Sequence, residues 1–222
     1  MVDNILVILT LTTFGSYIFF LELYKLYHKI KIKCFLKKNN ILYILSPEFI
    51  KYDHPQIIDI DRDDLFINWY SMVDINETLN IVINARGGSI SSSDAIINIL
   101  LLHEGEVNIY IPYFSYSAGS MIALCADNLY LNPYSLMSPV DPQIDFEKNQ
   151  QPVKSYLKYA RVKGIKSMNL SNALKYYECK SLYDDNIRNM KRILRDNYSK
   201  YKIEKIIKHF GRGIYPHEKQ FN

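Results

Sequence analysis

Strand-like and helix-like segments take turns along this chain, and that alternation constrains its fold more than any other feature. The segment "ILYIL" at 41–45 is apolar and β-prone, a strand signal. "QIIDIDRDD" alternates Ile with acidic residues and reads as a short strand running into a helix over "LFINWYSMV". "LNIVINARGG" is a continuous apolar strand that ends in the pair Gly87 and Gly88. "SSSDAIINILLLHEG" carries helix signals: a Ser/Asp-rich start, an apolar stripe and a terminal glycine. The strand "VNIYIPY", the helix "GSMIALCAD" and the strand "NLYLNP" follow, and "SLMSPVDPQI" reads as a proline-punctuated loop. Beyond Gln150 the pattern turns polar-helical, in "VKSYLKYARVKG", in the long run "SNALKYYECKSLYDDNIRNMKRILRDNYSKY" and in "KIEKIIKHFGRG". Such alternation predicts βαβ units, an α/β fold with a mainly parallel sheet. The 222 residues suffice for one domain with a substantial core.

In parallel sheets ligands gather where strands end and lead into helices. Two small-residue turns fall at such ends, "ARGG" after one strand and "FSYSAGS" after another. A serine at a helix start has unpaired backbone N–H groups beside it and the positive end of the helix dipole. If its hydroxyl attacks a carbonyl, the next residue's N–H can hold the developing oxyanion, with a second N–H supplied from another loop. Gly87 and Gly88 suit that second loop, because glycine lets backbone approach a ligand closely. The spacing alone leaves a second reading of Ser117 open, that of an ordinary helix N-cap.

The longer stretches "INARGGSISSSDAI" and "YFSYSAGSMIALCADNLYLNPYSLMSPVDPQ" closely resemble the serine dehydrogenase proteinase family. That family is a branch of the Clp-protease/crotonase-like superfamily, related to signal peptide peptidase A. The likeness extends upstream to "IIDIDRDD" and to Glu48 in "LSPE", and downstream through "QPVKSYLK" and "ALKYYECKSL". It departs at Arg86, where relatives usually carry proline. The resemblance implies a Clp/crotonase-like ββα-spiral with a helical C-terminal region and a domain over 41–222. It implies that Ser117 is the nucleophile of a serine endopeptidase, forming an acyl-enzyme. Gly88 and Ala118 would give the oxyanion-hole N–H groups, and Gly87 and Ser89 would contact substrate. Ser115 and Ser120 flank the site in capping and packing roles, and Asp127 ties off a turn.

The proton acceptor is a separate matter. Clp proteases carry a histidine at a spacing that falls here in "VDPQ", where this chain has Asp141 instead. Signal peptide peptidases use a lysine later in the chain, and a desolvated lysine can lose its proton near neutral pH. Lys158, Lys166, Lys175 and Lys180 are candidates, and Lys180 is preferred because "YYECKSL" matches a family stretch that also carries a lysine. The ordinary reading of Lys180 is a solvated helix lysine. Asp141 would orient that base or bind substrate, or else be a turn aspartate before Pro142.

The segment from Ile5 to Leu21 holds no charge and is followed by Lys25, Lys29, Lys31, Lys33, Lys37 and Lys38. Its length and flank predict a transmembrane anchor over 1–24, a basic linker over 25–40 and a domain facing the cytoplasm. The other reading is a buried or interfacial helix. A net charge of +4 is too small to argue for nucleic acid. The three cysteines show no metal spacing, and no phosphate-binding glycine loop is present, so neither metal nor cofactor is expected. The expected partners are a peptide or membrane-protein fragment, the membrane, and further copies of the chain. Two alternatives remain: a non-catalytic peptide-binding or scaffold member of the fold, and a crotonase-type enzyme acting on an acyl thioester.

Overall fold

A computed structural model describes residues 40–45, 57–146, 149–195 and 197–212. Contacts divide the chain into Met1–Ile41 and Leu42–Asn222. The uncharged N-terminal segment and the basic linker lie outside the described residues, except for Asn40.

From the N-terminal side the elements are β1 (Ile41–Leu45), β2 (Ile57–Ile58), α1 (Asp63–Tyr70), β3 (Leu79–Asn84) and α2 (Ile90–Leu100). Then come β4 (Val107–Ile111), β5 (Phe114–Ser115), α3 (Ala118–Ala123), β6 (Asn128–Leu131) and β7 (Leu136–Met137). Among the described residues the main sheet has five strands in the order β2-β1-β3-β4-β6, and the β1–β2, β3–β4 and β4–β6 pairs are parallel. The apolar runs explain it: Leu79, Ile81 and Ile83 of β3 and Ile109 of β4 are fully buried, and their branched side chains suit a pleated surface packed by helices. α2 covers it with Ile96, Ile97 and Leu100, and α1 with Phe66 and Trp69. Polar side chains inside this sheet satisfy one another. Asn80, Asn108 and Asn128 stand in register on neighbouring strands, with Asn128 Nδ2 donating to Asn108 Oδ1 at 3.0 Å and Asn108 Nδ2 to Asn80 Oδ1 at 3.5 Å.

The structure departs from the sequence expectation in three places. The loop "SLMSPVDPQI" contains β7, which pairs parallel with β5 in a small second sheet. It also leads into an antiparallel hairpin of β8 (Gln143–Phe146) and β9 (Asn149–Pro152); the alternation of Ile144 and Phe146 with polar residues spans only four positions and β9 has none, too little for a strand signal. After α4 (Val153–Lys163), the long polar-helical run is not continuous. It forms α5 (Leu170–Leu194) and α6 (Lys200–Ile206), because Ser199 takes an extended conformation with φ −62° and ψ 150° and starts a new helix.

Candidate active site

The loop that leaves β3 is stitched to the strand that precedes Ser117. Ala85 N–H donates to Phe114 O at 3.2 Å and Tyr116 N–H donates back to Ala85 O at 2.9 Å. The chain then turns sharply at Ser117 into α3, with φ 50° and ψ −116°. A residue with a side chain avoids this region, and holding one there costs about 1 to 3 kcal/mol. The turn is fixed from outside by Ser138, whose Oγ accepts the Ser117 N–H at 2.9 Å. It is fixed from inside by Gly119 N–H donating to Tyr116 O at 2.9 Å.

This geometry bears on the N-cap reading of Ser117. It occupies the N-cap position of α3, yet its side chain makes no capping hydrogen bond. The hydroxyl is held out on a strained strand-to-helix turn, the arrangement expected of a nucleophile elbow. Its neighbours are tied down instead. Ser120 Oγ donates to Ser115 O at 2.5 Å and accepts from Ser138 N–H at 3.2 Å. Ser115 is fully buried, and among the described residues its Oγ has no partner.

The glycine loop lies directly against this elbow. Gly87 has φ 118°, and a Cβ there would sit 3.0 Å from Ser117 Cβ and 3.2 Å from Tyr116 O. At Gly88 a Cβ would meet Asp61 Oδ1 at 2.6 Å and Ile60 Cγ2 at 2.8 Å. The Asp61 carboxylate also accepts the Ser89 N–H in a short hydrogen bond, so the loop is clamped between Asp61 and Ser117. Ser89 caps α2, its Oγ accepting from Ser92 N–H at 3.5 Å.

Gly87, Gly88, Ser89, Ser117, Ala118 and Asp141 all line one cavity of about 810 Å³ at the ends of β3 and β5. Lys180 does not share it. It is exposed and lines a separate cavity of about 430 Å³, together with Tyr183 and Asp184. The face of α5 that reaches the first cavity carries Leu182, Asp185, Asn186 and Asn189. The other lysine candidates are engaged elsewhere or exposed: Lys175 pairs with Glu178 at 3.1 Å, and Lys158 and Lys166 face solvent. Among the described residues no lysine or histidine lines the cavity of Ser117. His103 sits after α2, between the Tyr70 hydroxyl and the Glu77 carbonyl.

Asp141 is buried, with 4% of its surface exposed. Burial pushes its carboxyl up from 3.8 to about 6, against the opposing pull of Lys154. Folded protein therefore holds this proton more tightly than unfolded chain. The stabilisation this gives is full below pH 4 and is lost as pH rises through about 6, so at neutral pH the desolvated charge opposes folding. A carboxylate kept at such a cost, in a cavity, is a functional-site signal. Its backbone is immobilised on every side. Asn186 Nδ2 donates to Val140 O at 2.9 Å, Val153 N–H donates to Pro142 O at 2.9 Å, and Gln143 Nε2 donates to Asp141 O at 3.0 Å.

Sequence reasoning missed Asp61, Ser138 and Asn186. The first two fall inside the quoted family stretches "IIDIDRDD" and "SPVDPQ", but nothing local distinguishes them from turn residues. Asp127 behaves as read, accepting the Val107 N–H at 2.8 Å where the chain turns into β6.

A family model described as ClpP-like SDH-type serine proteinase matches residues 36–221. Two proteins of Methanocaldococcus jannaschii are similar to the chain. The uncharacterized protein MJ0137 is 24% identical over 143 residues, covering 64% of this chain and 49% of that protein. The uncharacterized protein MJ1495 is 30% identical over 144 residues, covering 63% and 46%. The chain thus spans about half the length of the curated relatives it matches. ClpP1 from Listeria monocytogenes superposes with a TM-score of 0.49 and 15% identity, over 86% of this chain and 87% of that one.

Proposed function

The chain belongs to the ClpP-like SDH-type serine proteinases, and from that premise we propose that it hydrolyses peptide bonds through Ser117. The observation that carries this reading is the Ser117 hydroxyl, held on a left-handed turn against Gly87 and Gly88 and left without a capping role. The hydroxyl attacks the peptide carbonyl, the carbonyl oxygen becomes an oxyanion, and the N–H groups of Gly88 and Ala118 receive it. Each such donor is worth about 3 to 4 kcal/mol of barrier. Collapse expels the amine and leaves an acyl-enzyme that water hydrolyses. The reaction needs no ATP, in keeping with the lack of a phosphate-binding glycine loop in the sequence.

A fluorophosphonate reporter is expected to label the full chain at Ser117, and a mixed peptide library is expected to be cleaved. A chain that takes no label and cleaves nothing would favour the second reading, a peptide-binding member of the fold without catalysis. That second reading draws on the absence of lysine and histidine from the cavity lining among the described residues. A Ser–Lys pair through Lys180 draws no support from a single chain, since Lys180 and Ser117 line different cavities.

The uncharged run Ile5–Leu21 and its basic flank support a single-pass anchor with the peptidase domain on the cytoplasmic side. Peptides or membrane-protein fragments are then the substrates, and the assembly is homo-oligomeric. The full chain is expected to stay with the membrane pellet through alkaline carbonate extraction. Release into the supernatant would remove the anchor from this reading.

A further inference from the structure

We propose that the cavity of Ser117 selects peptides with a lysine or arginine close to the bond they present to Ser117, and that Asp141 receives the cationic head. The inference names the substrate class of this site and rests on the peptidase reading.

The charge of the cavity lining is one-sided. Asp61, Asp94, Asp141 and Asp185 line it, and among the described residues Arg86 is the one cation that does. The Arg86 guanidinium sits over the Phe114 ring, 5.8 Å from its centroid. Three of the carboxylates have donors within the protein. Asp61 accepts the Ser89 N–H, Asp185 accepts from Arg188 and from Ser181 Oγ, and Asp94 accepts from Asn189 Nδ2 at 3.4 Å. The Asp141 carboxylate accepts no hydrogen bond from the described residues, although with 4% of its surface exposed it is the most buried of the four. A polar side chain buried to this degree, lining a cavity and lacking a partner, is completed by a ligand that brings donors.

The chemistry of the walls says which ligand. Met121, Val140 and Leu182 share the cavity with the carboxylates, so apolar surface suits a methylene stem and Asp141 suits the charged head, the two parts of a lysine or arginine side chain. Among the described residues no group of three ligating side chains could hold a metal ion, which favours an organic cation as the occupant. The carboxylate waits in a fixed frame. Asn186 Nδ2 holds the Val140 carbonyl, Val153 N–H the Pro142 carbonyl and Gln143 Nε2 the carbonyl of Asp141 itself, so little ordering remains for binding to impose. The same segment is bonded to the nucleophile's backbone, because Ser138 Oγ accepts the Ser117 N–H three positions before Asp141.

Discrimination follows from what each side chain leaves behind. A neutral side chain of lysine's length covers the apolar walls but leaves Asp141 unpaired. An acidic one meets four carboxylates. A lysine or arginine supplies the donors that Asp141 lacks, and burial strengthens the pairing because water does not compete for it.

The test uses fluorescent alanine peptides in which a single lysine, or a single norleucine of like length and no charge, is moved through every position. Cleavage is measured with the wild-type full chain and binding with full-length Ser117→Ala. At one position lysine is expected to exceed norleucine by roughly tenfold or more, in kcat/KM and in Kd alike. Asp141→Asn and the smaller Asp141→Ser, each made in both chains, are expected to bring that ratio close to one. The ratio is internal to each variant, so a partial loss of folded protein or of turnover does not imitate the result. Norleucine matching lysine at every position overturns the proposal, and so does either Asp141 variant that keeps the wild-type ratio. Binding that prefers lysine without any cleavage overturns the peptidase reading and leaves the selectivity of the cavity standing. Peptides neither bound nor cleaved overturn both.

Discussion

Ser117→Ala is expected to abolish peptide cleavage and phosphonate labelling, lowering kcat by about four orders of magnitude or more. The loss is large because the hydroxyl is the bond-forming atom, and no neighbouring side chain can replace it. Ser115 is buried and Ser120 is committed to Ser115 O and Ser138 N–H. Ser117→Gly makes the case sharper. Glycine takes φ 50° and ψ −116° without a side-chain penalty, so relief of about 1 to 3 kcal/mol of strain outweighs the smaller entropy cost of glycine. Ser117→Gly should therefore melt above Ser117→Ala while both are inactive. That pairing of higher stability with lost activity marks a residue kept in a strained conformation for chemistry. Cleavage by Ser117→Ala within tenfold of wild type would remove the hydroxyl from the mechanism.

What was legible in the chain follows from how each feature is encoded. Fully buried parallel strands such as "LNIVIN" write themselves as apolar runs, and the glycines and serines at their ends mark turns where backbone must come close. The hairpin of β8 and β9 could not be read this way. Its residues "QIDF" and "NQQP" are mostly polar, and its pairing depends on partners, not on periodicity. The preference for Lys180 rests on local resemblance, and helix phase puts it in a different cavity from Ser117. Leu182 reaches the cavity of Ser117, and Lys180, two positions away, points about 200° around the helix from it. Asn186 and Asn189 hold the positions on α5 from which a lysine would have reached that cavity. Asp141 was legible as a residue of interest but not in its burial, which is a property of the packed chain.

Gly88→Ala tests the other half of the site. A Cβ at this position would stand 2.6 Å from Asp61 Oδ1, 2.8 Å from Ile60 Cγ2 and 3.0 Å from Ile60 Cβ. Neither neighbour yields easily. Ile60 is fully buried and β-branched, and the Asp61 carboxylate is held by the Ser89 N–H. The loop itself must shift, and it carries the Gly88 N–H away from the oxyanion. An oxyanion-hole donor is worth about a hundred- to a thousandfold in kcat, so Gly88→Ala should fall by that factor with KM much less changed. Gly164→Ala is the control: it strains a residue at φ 82° whose Cβ would make only an ordinary contact with Ser167 Oγ at 3.7 Å, costing about 1 kcal/mol of stability outside the cavity of Ser117 with kcat retained. If Gly88→Ala turns over like the control, the oxyanion takes its second hydrogen bond from elsewhere, and the clamp between Asp61 and Ser117 serves the fold alone.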